Sequence, residues 1–313
     1  MSTNTTTAPT TTPSAESAAL AALYSSWVER MAANPEMDLP AMRSMFEEWH
    51  LPTAEPVGVS YEEVDAGGVP AMWCRPAGAA DDRAMIWTHG GGYVVGSMHS
   101  HRKVAGHLAK AAGVPVLVLD YRRAPEHPHP APLEDAVAAY RWLVGEQGIA
   151  PEHIATTGDS AGGGLCTAMV LALRDAGDPL PAAVMPLSPW YDMEATGESV
   201  ATNAGVDVLV QRDILLAMAG MFLGDASPQD PLANPLYADP TGLPPILIQV
   251  GGSETLLDDS NRFAAMVKDA GVDCTVEVYP EMQHVFHFLA GRAREADEAI
   301  AAMAAWVRPK LGL

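Results

Sequence analysis

An α/β fold with a mostly parallel central sheet, covered by helices on both faces, is what this sequence predicts. Three observations carry the prediction. Ala84–Thr88, Val114–Tyr121, Ile154–Thr157, Ala182–Leu187, Pro245–Val250 and Cys274–Tyr279 are short runs rich in apolar and β-branched residues. Runs with little polar alternation suit strands buried on both faces. Helical stretches fall between and after them, at Ser100–Ala112, Pro132–Glu146, Gly163–Asp175, Ser260–Ala270 and Gly291–Val307, and such alternation of strand and helix marks a doubly covered sheet. The third observation is Gly158-Asp159-Ser160-Ala161-Gly162, a G-x-S-x-G turn where the Ile154–Thr157 strand passes into the next helix.

Taken in order, Met1–Glu16 is rich in Thr, Ala and Pro and has no Lys or Arg. It lacks the basic region and apolar core of a signal peptide, and residues 1–16 are expected to be a disordered tail. Ala18–Ala32 and Leu39–His50 are expected as amphipathic helices, because Leu23, Trp27 and Met31, then Met42, Met45 and Phe46, recur at helical spacing. Such stripes serve either core packing or a binding lid. Val57–Val64 and Val69–Cys74 flank Asp65-Ala66-Gly67-Gly68, a turn sequence that joins two antiparallel strands. The strand–helix alternation begins at Ala84 and breaks down into a long insertion between Trp190 and Pro244. No apolar run approaches the ~20 residues of a membrane-spanning helix.

A chain of 313 residues can bury one large core, and residues 17–313 read as a single domain. With 18 Lys and Arg against 39 Asp and Glu the formal charge is −21. That balance argues against a nucleic-acid partner, which needs clustered cations, and fits a well-solvated surface. Cys74, Cys166 and Cys274 are widely spaced with no C-x-x-C pair; Cys166 reads as a buried small hydrophobe, and the cytoplasm is the expected compartment.

The chemistry centres on Ser160. A serine in a sharp strand-to-helix turn has its hydroxyl exposed, small neighbours let the backbone fold tightly, and the helix N-terminus favours developing negative charge. A serine nucleophile also needs a base, a group that orients the base, and donors for an oxyanion. His89-Gly90-Gly91-Gly92-Tyr93 follows the Ala84–Thr88 strand, and its glycines leave backbone N–H groups unshielded. A phosphate loop is disfavoured there, since neither G-K-[ST] nor a helix-opening G-x-G-x-x-G is present. In this kind of fold the triad runs Ser, acid, His. His284, just past the last strand, is the expected base, with His287 as competitor. Glu254, just past Pro245–Val250, is the expected acid, with Asp258 the next candidate; Asp258 and Asp259 lie where a following helix begins and suit its first turn.

At this point the chain resembles the hormone-sensitive-lipase-like α/β-hydrolases, the bacterial family IV carboxylesterases. His89-Gly90-Gly91-Gly92, Asp120-Tyr121-Arg122-Arg123-Ala124-Pro125-Glu126, Gly158-Asp159-Ser160-Ala161-Gly162-Gly163 and His284-Val285-Phe286 carry the resemblance, in the family's order, from about Val57 to the C-terminus. It implies Ser160 as nucleophile, His284 as base, and an oxyanion hole from the N–H groups of Gly91, Gly92 and Ala161. It also implies a cap over the site from residues 17–50 and 190–244. The family's acid is most often Asp; here Glu254-Thr255-Leu256-Leu257-Asp258 puts Glu in that slot. Ser188-Pro189-Trp190-Tyr191-Asp192 and Thr196-Gly197-Glu198-Ser199 also resemble a subgroup associated with epsilon-lactone hydrolysis.

The expected function is therefore a serine carboxylesterase that hydrolyses small to medium uncharged esters or lactones through an acyl-enzyme, without cofactor or stable membrane insertion. A homodimer is compatible with it. An amidase or deacetylase of the same fold is the enzyme alternative. A non-catalytic ligand-binding module is the other, and the retained serine, acid and histidine argue against it. Tyr93, Trp190, Tyr191, Met218 and Phe222 are candidates to line an acyl pocket, and each equally fits plain core. His99, His101, His107, His127 and His129 lack metal-binding spacing. Glu126 is expected to make a structural hydrogen bond, and Asp159 to secure the turn at Ser160.

Overall fold

The computed structural model describes Thr5–Thr7 and residues 13–313. Its strands are β1 (Thr5–Thr7), β2 (Val59–Asp65), β3 (Pro70–Pro76), β4 (Ala84–Thr88), β5 (Val116–Leu119), β6 (Ile154–Asp159), β7 (Ala183–Leu187), β8 (Ile246–Gly251) and β9 (Cys274–Tyr279). They form one sheet in the order β1-β9-β8-β7-β6-β4-β5-β3-β2. β2 and β3 are the expected antiparallel hairpin, and β3 also runs antiparallel to β5. Every other pairing is parallel. Strands β4 to β8 are buried along their whole length, as their unbroken apolar runs require.

The helices are α1 (Ala18–Ala33), α2 (Leu39–Phe46), α3 (Met98–Ala112), α4 (Ala131–Gly145), α5 (Ala161–Ala176), α6 (Glu198–Thr202), α7 (Arg212–Leu223), α8 (Leu257–Asp269) and α9 (Arg294–Val307). α3 packs on α9, α4 packs on α5, and α5 lies on β6 and β7. The helix expected over Leu39–His50 tightens after Phe46 into a 3-10 turn at Glu47–His50.

Topology locates the site. After β4 the chain passes to β5 on one side; after β6 it passes to β7 on the other. The crevice between the C-terminal ends of β4 and β6 is thus the switch point where such sheets bind ligands. The register pairs Thr88 with Gly158, which sets the glycine loop beside the turn at Ser160.

The tail departs from expectation. Thr5–Thr7 adds a parallel edge strand to β9, and Ala15–Ser17 forms a 3-10 turn. Ser14 donates from its N–H and Oγ to the Glu295 carboxylate at 2.8 and 2.6 Å. An open sheet edge offers unpaired backbone groups to any β-branched segment within reach, which tail composition alone does not reveal. Residues 1–4 and 8–12 of the expected disordered tail lie outside the described residues.

Candidate active site

Ser160 follows β6 and caps α5 at φ 54°, ψ −122°, a positive-φ conformation that costs free energy for a non-glycine residue. Its surroundings hold it there. Ser160 N–H donates to Leu187 O at 2.9 Å, and its carbonyl accepts from Trp190 N–H at 2.9 Å and Gly164 N–H at 3.1 Å. The turn tolerates no side chain at Gly162, where a Cβ would lie 1.9 Å from Thr88 O. Ala161 opens α5, so its N–H belongs to the first helical turn, which lacks intrahelical acceptors.

The expected base and acid meet. His284 Nδ1–H donates to Glu254 Oε2 at 2.8 Å, and both side chains are buried. Glu254 Oε1 accepts from Gly251 N–H at 2.6 Å and from Ser188 Oγ at 2.6 Å. With Nδ1 holding the proton, Nε2 is the basic nitrogen. Burial disfavours the imidazolium, yet the Glu254 charge and hydrogen bond, reinforced by Asp207 and Asp159, hold the His284 pKa above its ordinary value.

The competitors are occupied elsewhere. His287 Nε2 bonds Gln249 Oε1 at 2.9 Å, and burial pushes its pKa down to about 3. Asp258 accepts Ser199 N–H at 2.7 Å in the first turn of α8. Asp259 Oδ2 accepts the N–H groups of Tyr191 and Asp192 at 2.8 and 2.9 Å, fastening the insertion to the sheet domain. Asp159 accepts from Trp87 Nε1 at 2.9 Å and Gly90 N–H at 3.2 Å, tying the turn at Ser160 to the glycine loop. Burial opposes its ionisation, but the charge and hydrogen bond of His101 and the Trp87 bond keep its pKa below the ordinary value. Glu126 forms a bidentate pair with Arg43 of α2 at 2.8 and 2.7 Å. The remaining histidines are dispersed: His107 bonds Ala54 O, His129 lies 3.4 Å from Asp230, and His99 and His127 are exposed.

Ser160, His284, Gly91 and Gly92 face one cavity of about 180 Å³. Gly92 sits at φ +60°, and a Cβ there would lie 2.0 Å from Met218 Sδ, so the glycine leaves room for the cavity wall itself. Of the five expected pocket residues, Trp190 and Met218 line the cavity. Tyr93, Phe222 and Tyr191 do not. Tyr93 stacks on Phe222 with ring centroids 3.6 Å apart, and Tyr191 packs on Phe263 with its hydroxyl 3.1 Å from Thr167 Oγ1. Aromatic pairs of this kind bury their faces in each other and belong to the core.

Most of the wall was missed at the sequence level. Met31 comes from α1, Met42 and Phe46 from α2, Trp49 and Val95 from loops or turns, and Leu209, Val210, Ile214, Leu215, Ala217 and Met221 from the insertion and α7. The apolar stripes of the first two helices did signal Met31, Met42 and Phe46, but a stripe does not say whether it meets core or cavity. Asp207 was missed as well. Its Oδ1 accepts Leu209 and Val210 N–H, and its Oδ2 accepts Thr255 N–H at 2.8 Å, next to Glu254.

The profile of the alpha/beta hydrolase fold family matches residues 85–288. An acetyl-hydrolase of Streptomyces hygroscopicus is 42% identical over 298 residues, spanning 90% of this chain and 98% of that protein. An esterase of Acinetobacter venetianus is 35% identical over 229 residues, 73% of this chain and 75% of its own. The crystal structure of an esterase from the bacterial hormone-sensitive lipase family superposes with a TM-score of 0.91 at 46% identity, covering 96% of this chain and all of that one. A structure of EstE5 soaked with p-nitrophenyl butyrate superposes with a TM-score of 0.88 at 38% identity over the same shares.

Proposed function

Since the chain belongs to the hormone-sensitive-lipase-like esterases of the α/β-hydrolase fold and is a carboxylic ester hydrolase, we propose that Ser160, His284 and Glu254 are its catalytic triad. The observation that carries the assignment is the buried His284–Glu254 hydrogen bond at 2.8 Å, with Ser160 facing the same cavity as His284.

Ser160 Oγ attacks the ester carbonyl while His284 Nε2 takes its proton, and Glu254 stabilises the resulting imidazolium. The N–H groups of Gly91, Gly92 and Ala161 bind the tetrahedral oxyanion. His284 then protonates the leaving alkoxide. A water activated by the same nitrogen hydrolyses the acyl-enzyme and regenerates the serine. No further group is required for these steps.

The substrate is a small to medium neutral ester or lactone. Apart from Ser160 and His284, the side chains around the cavity are apolar or aromatic, and the Trp49 and Trp190 N–H groups are already bonded to Tyr24 Oη and Asp192 O. A charged acyl group would lose its hydration there without replacement. α1, α2 and the 190–244 insertion act as a cap, since they supply most of that wall. Three free, buried cysteines support a reducing, cytoplasmic setting; among the described residues no helix is long and apolar enough to cross a membrane.

A second reading, selective removal of acetyl groups, is favoured by the name of the Streptomyces relative. Rates on matched acetyl and butyryl p-nitrophenyl esters, and on acetanilide, separate it from broad esterase activity. Ser160→Ala tests the main reading: turnover is expected to fall about 10⁴-fold or more with the fold intact. Retention of a tenth of wild-type turnover refutes Ser160 as nucleophile.

A further inference from the structure

The peptide group joining His284 to Val285 is held at both of its polar ends. Its carbonyl accepts a 2.9 Å hydrogen bond from the Tyr24 hydroxyl, and its N–H donates to Ser188 Oγ at 3.2 Å. Tyr24 belongs to α1, and Ser188 follows β7; both are fully buried. Val285 is β-branched and yet lies at φ +51°, a conformation that persists only where the surroundings enforce it. Ser188, itself at φ +44°, donates a hydrogen bond from its hydroxyl to Glu254 Oε1 at 2.6 Å. On the other side, Trp49 of the cavity wall donates from Nε1 to Tyr24 Oη at 3.3 Å. An unbroken series of hydrogen bonds thus leads from the substrate cavity through Tyr24 and the His284–Val285 peptide to Ser188 and the carboxylate of Glu254.

We propose that Tyr24 and Ser188 are positioning residues that clamp the His284–Val285 peptide and so fix the imidazole between Glu254 and Ser160. The inference rests on the triad assigned above. Rotation of that peptide would break at least one of two bonds and leave a buried polar group without a partner. Proton transfer demands hydrogen-bond reach, so a small displacement of the imidazole is amplified into rate. Tyr24 gives α1 a part in the chemistry beyond shielding the cavity. Its effect should appear even with substrates too small to touch α1.

Tyr24→Phe, Ser188→Gly, Ser188→Ala and His284→Ala are to be assayed on p-nitrophenyl acetate well below each variant's measured Tm. Glycine suits φ +44° better than serine does, so Ser188→Gly relieves the backbone, whereas Ser188→Ala removes the hydroxyl alone; a loss common to both reports the hydroxyl. The clamp predicts that kcat falls about tenfold in Tyr24→Phe and in both Ser188 variants, with KM changed by no more than about twofold. It further predicts that the acid limb of kcat/KM moves to lower pH in Tyr24→Phe, because an imidazole turned away from Glu254 loses the charge that favours its protonated form. Wild-type kcat in Tyr24→Phe or in Ser188→Gly, an unmoved acid limb in Tyr24→Phe, or a rise in KM alone overturns the clamp. His284→Ala keeps the two levels apart. If it retains turnover the triad itself is misassigned; if it is inactive while Tyr24→Phe and Ser188→Gly are unaffected, the clamp alone fails.

Discussion

Glu254 and Asp258 stand four residues apart in the sequence and do different work. Glu254 is wholly buried and accepts three hydrogen bonds, from His284, Gly251 and Ser188. Asp258 meets a single backbone N–H at the start of α8. Glu254→Gln is expected to lower kcat roughly 10²- to 10⁴-fold, whereas Asp258→Asn should keep kcat and lose about 0.5–1 kcal/mol of stability. Steady-state rates and urea denaturation on the two variants check both halves; a crippled Asp258→Asn beside a near-normal Glu254→Gln would exchange the roles. The pH profile follows with a defined sign. His284 must be neutral to accept the serine proton, and its partners raise its pKa. The acid limb of wild-type kcat/KM should therefore lie above the ordinary histidine value, and any activity left in Glu254→Gln should show that limb at lower pH. At this scale the sequence was informative because strand ends announce where a side chain can project. It did not show Asp207 or Ser188, whose importance comes from partners 48 and 66 residues away.

At the scale of elements, the junction between the insertion and α8 is sensitive to pH. Asp259 is fully buried, its Oδ1 has no hydrogen-bond partner among the described residues, and burial raises its pKa from 3.8 to about 7. The folded protein therefore binds a proton there that the unfolded chain releases between about pH 4 and 7. Stability from this group is present at low pH and is lost as pH rises toward its folded pKa. Asp259→Asn should remove that loss, so its Tm relative to wild type should rise between pH 5 and 8; a constant difference across that range would show that Asp259 is not the titrating group. The N-terminal helices make a second prediction. Deletion of residues 1–16 removes the β1 pairing and the Ser14–Glu295 bonds and should lower Tm modestly. Deletion of residues 1–50 also removes Tyr24, Met31, Met42, Phe46 and Trp49, and should lower kcat and alter acyl-chain preference. Full stability and an unchanged preference in the longer deletion would show that these helices are not a cap.

For the whole molecule, a charge of −21 makes the folded state repel itself more than the expanded chain does. Moderate NaCl shortens the range of that repulsion, so Tm should rise between about 10 mM and 150 mM salt; a flat or falling Tm would mean that local ion pairs outweigh the net charge. The sequence by itself determined strands β2 to β9, their order along the chain, and the side chains Ser160, Glu254 and His284 proposed as the triad. Those are local facts: buried strands must be apolar, and a turn as tight as that at Ser160 needs small neighbours. Only the tertiary structure decided which apolar residues face the cavity. Tyr93, Tyr191 and Phe222 are aromatic like Phe46, Trp49 and Trp190 of the wall, yet their rings pair within the core. Tertiary structure also turned Thr5–Thr7 into an edge strand and joined α1 to the peptide after His284. Hydrophobicity specifies that a side chain leaves water, but it is non-directional. Which partner the side chain meets is fixed by packing between segments far apart in the chain.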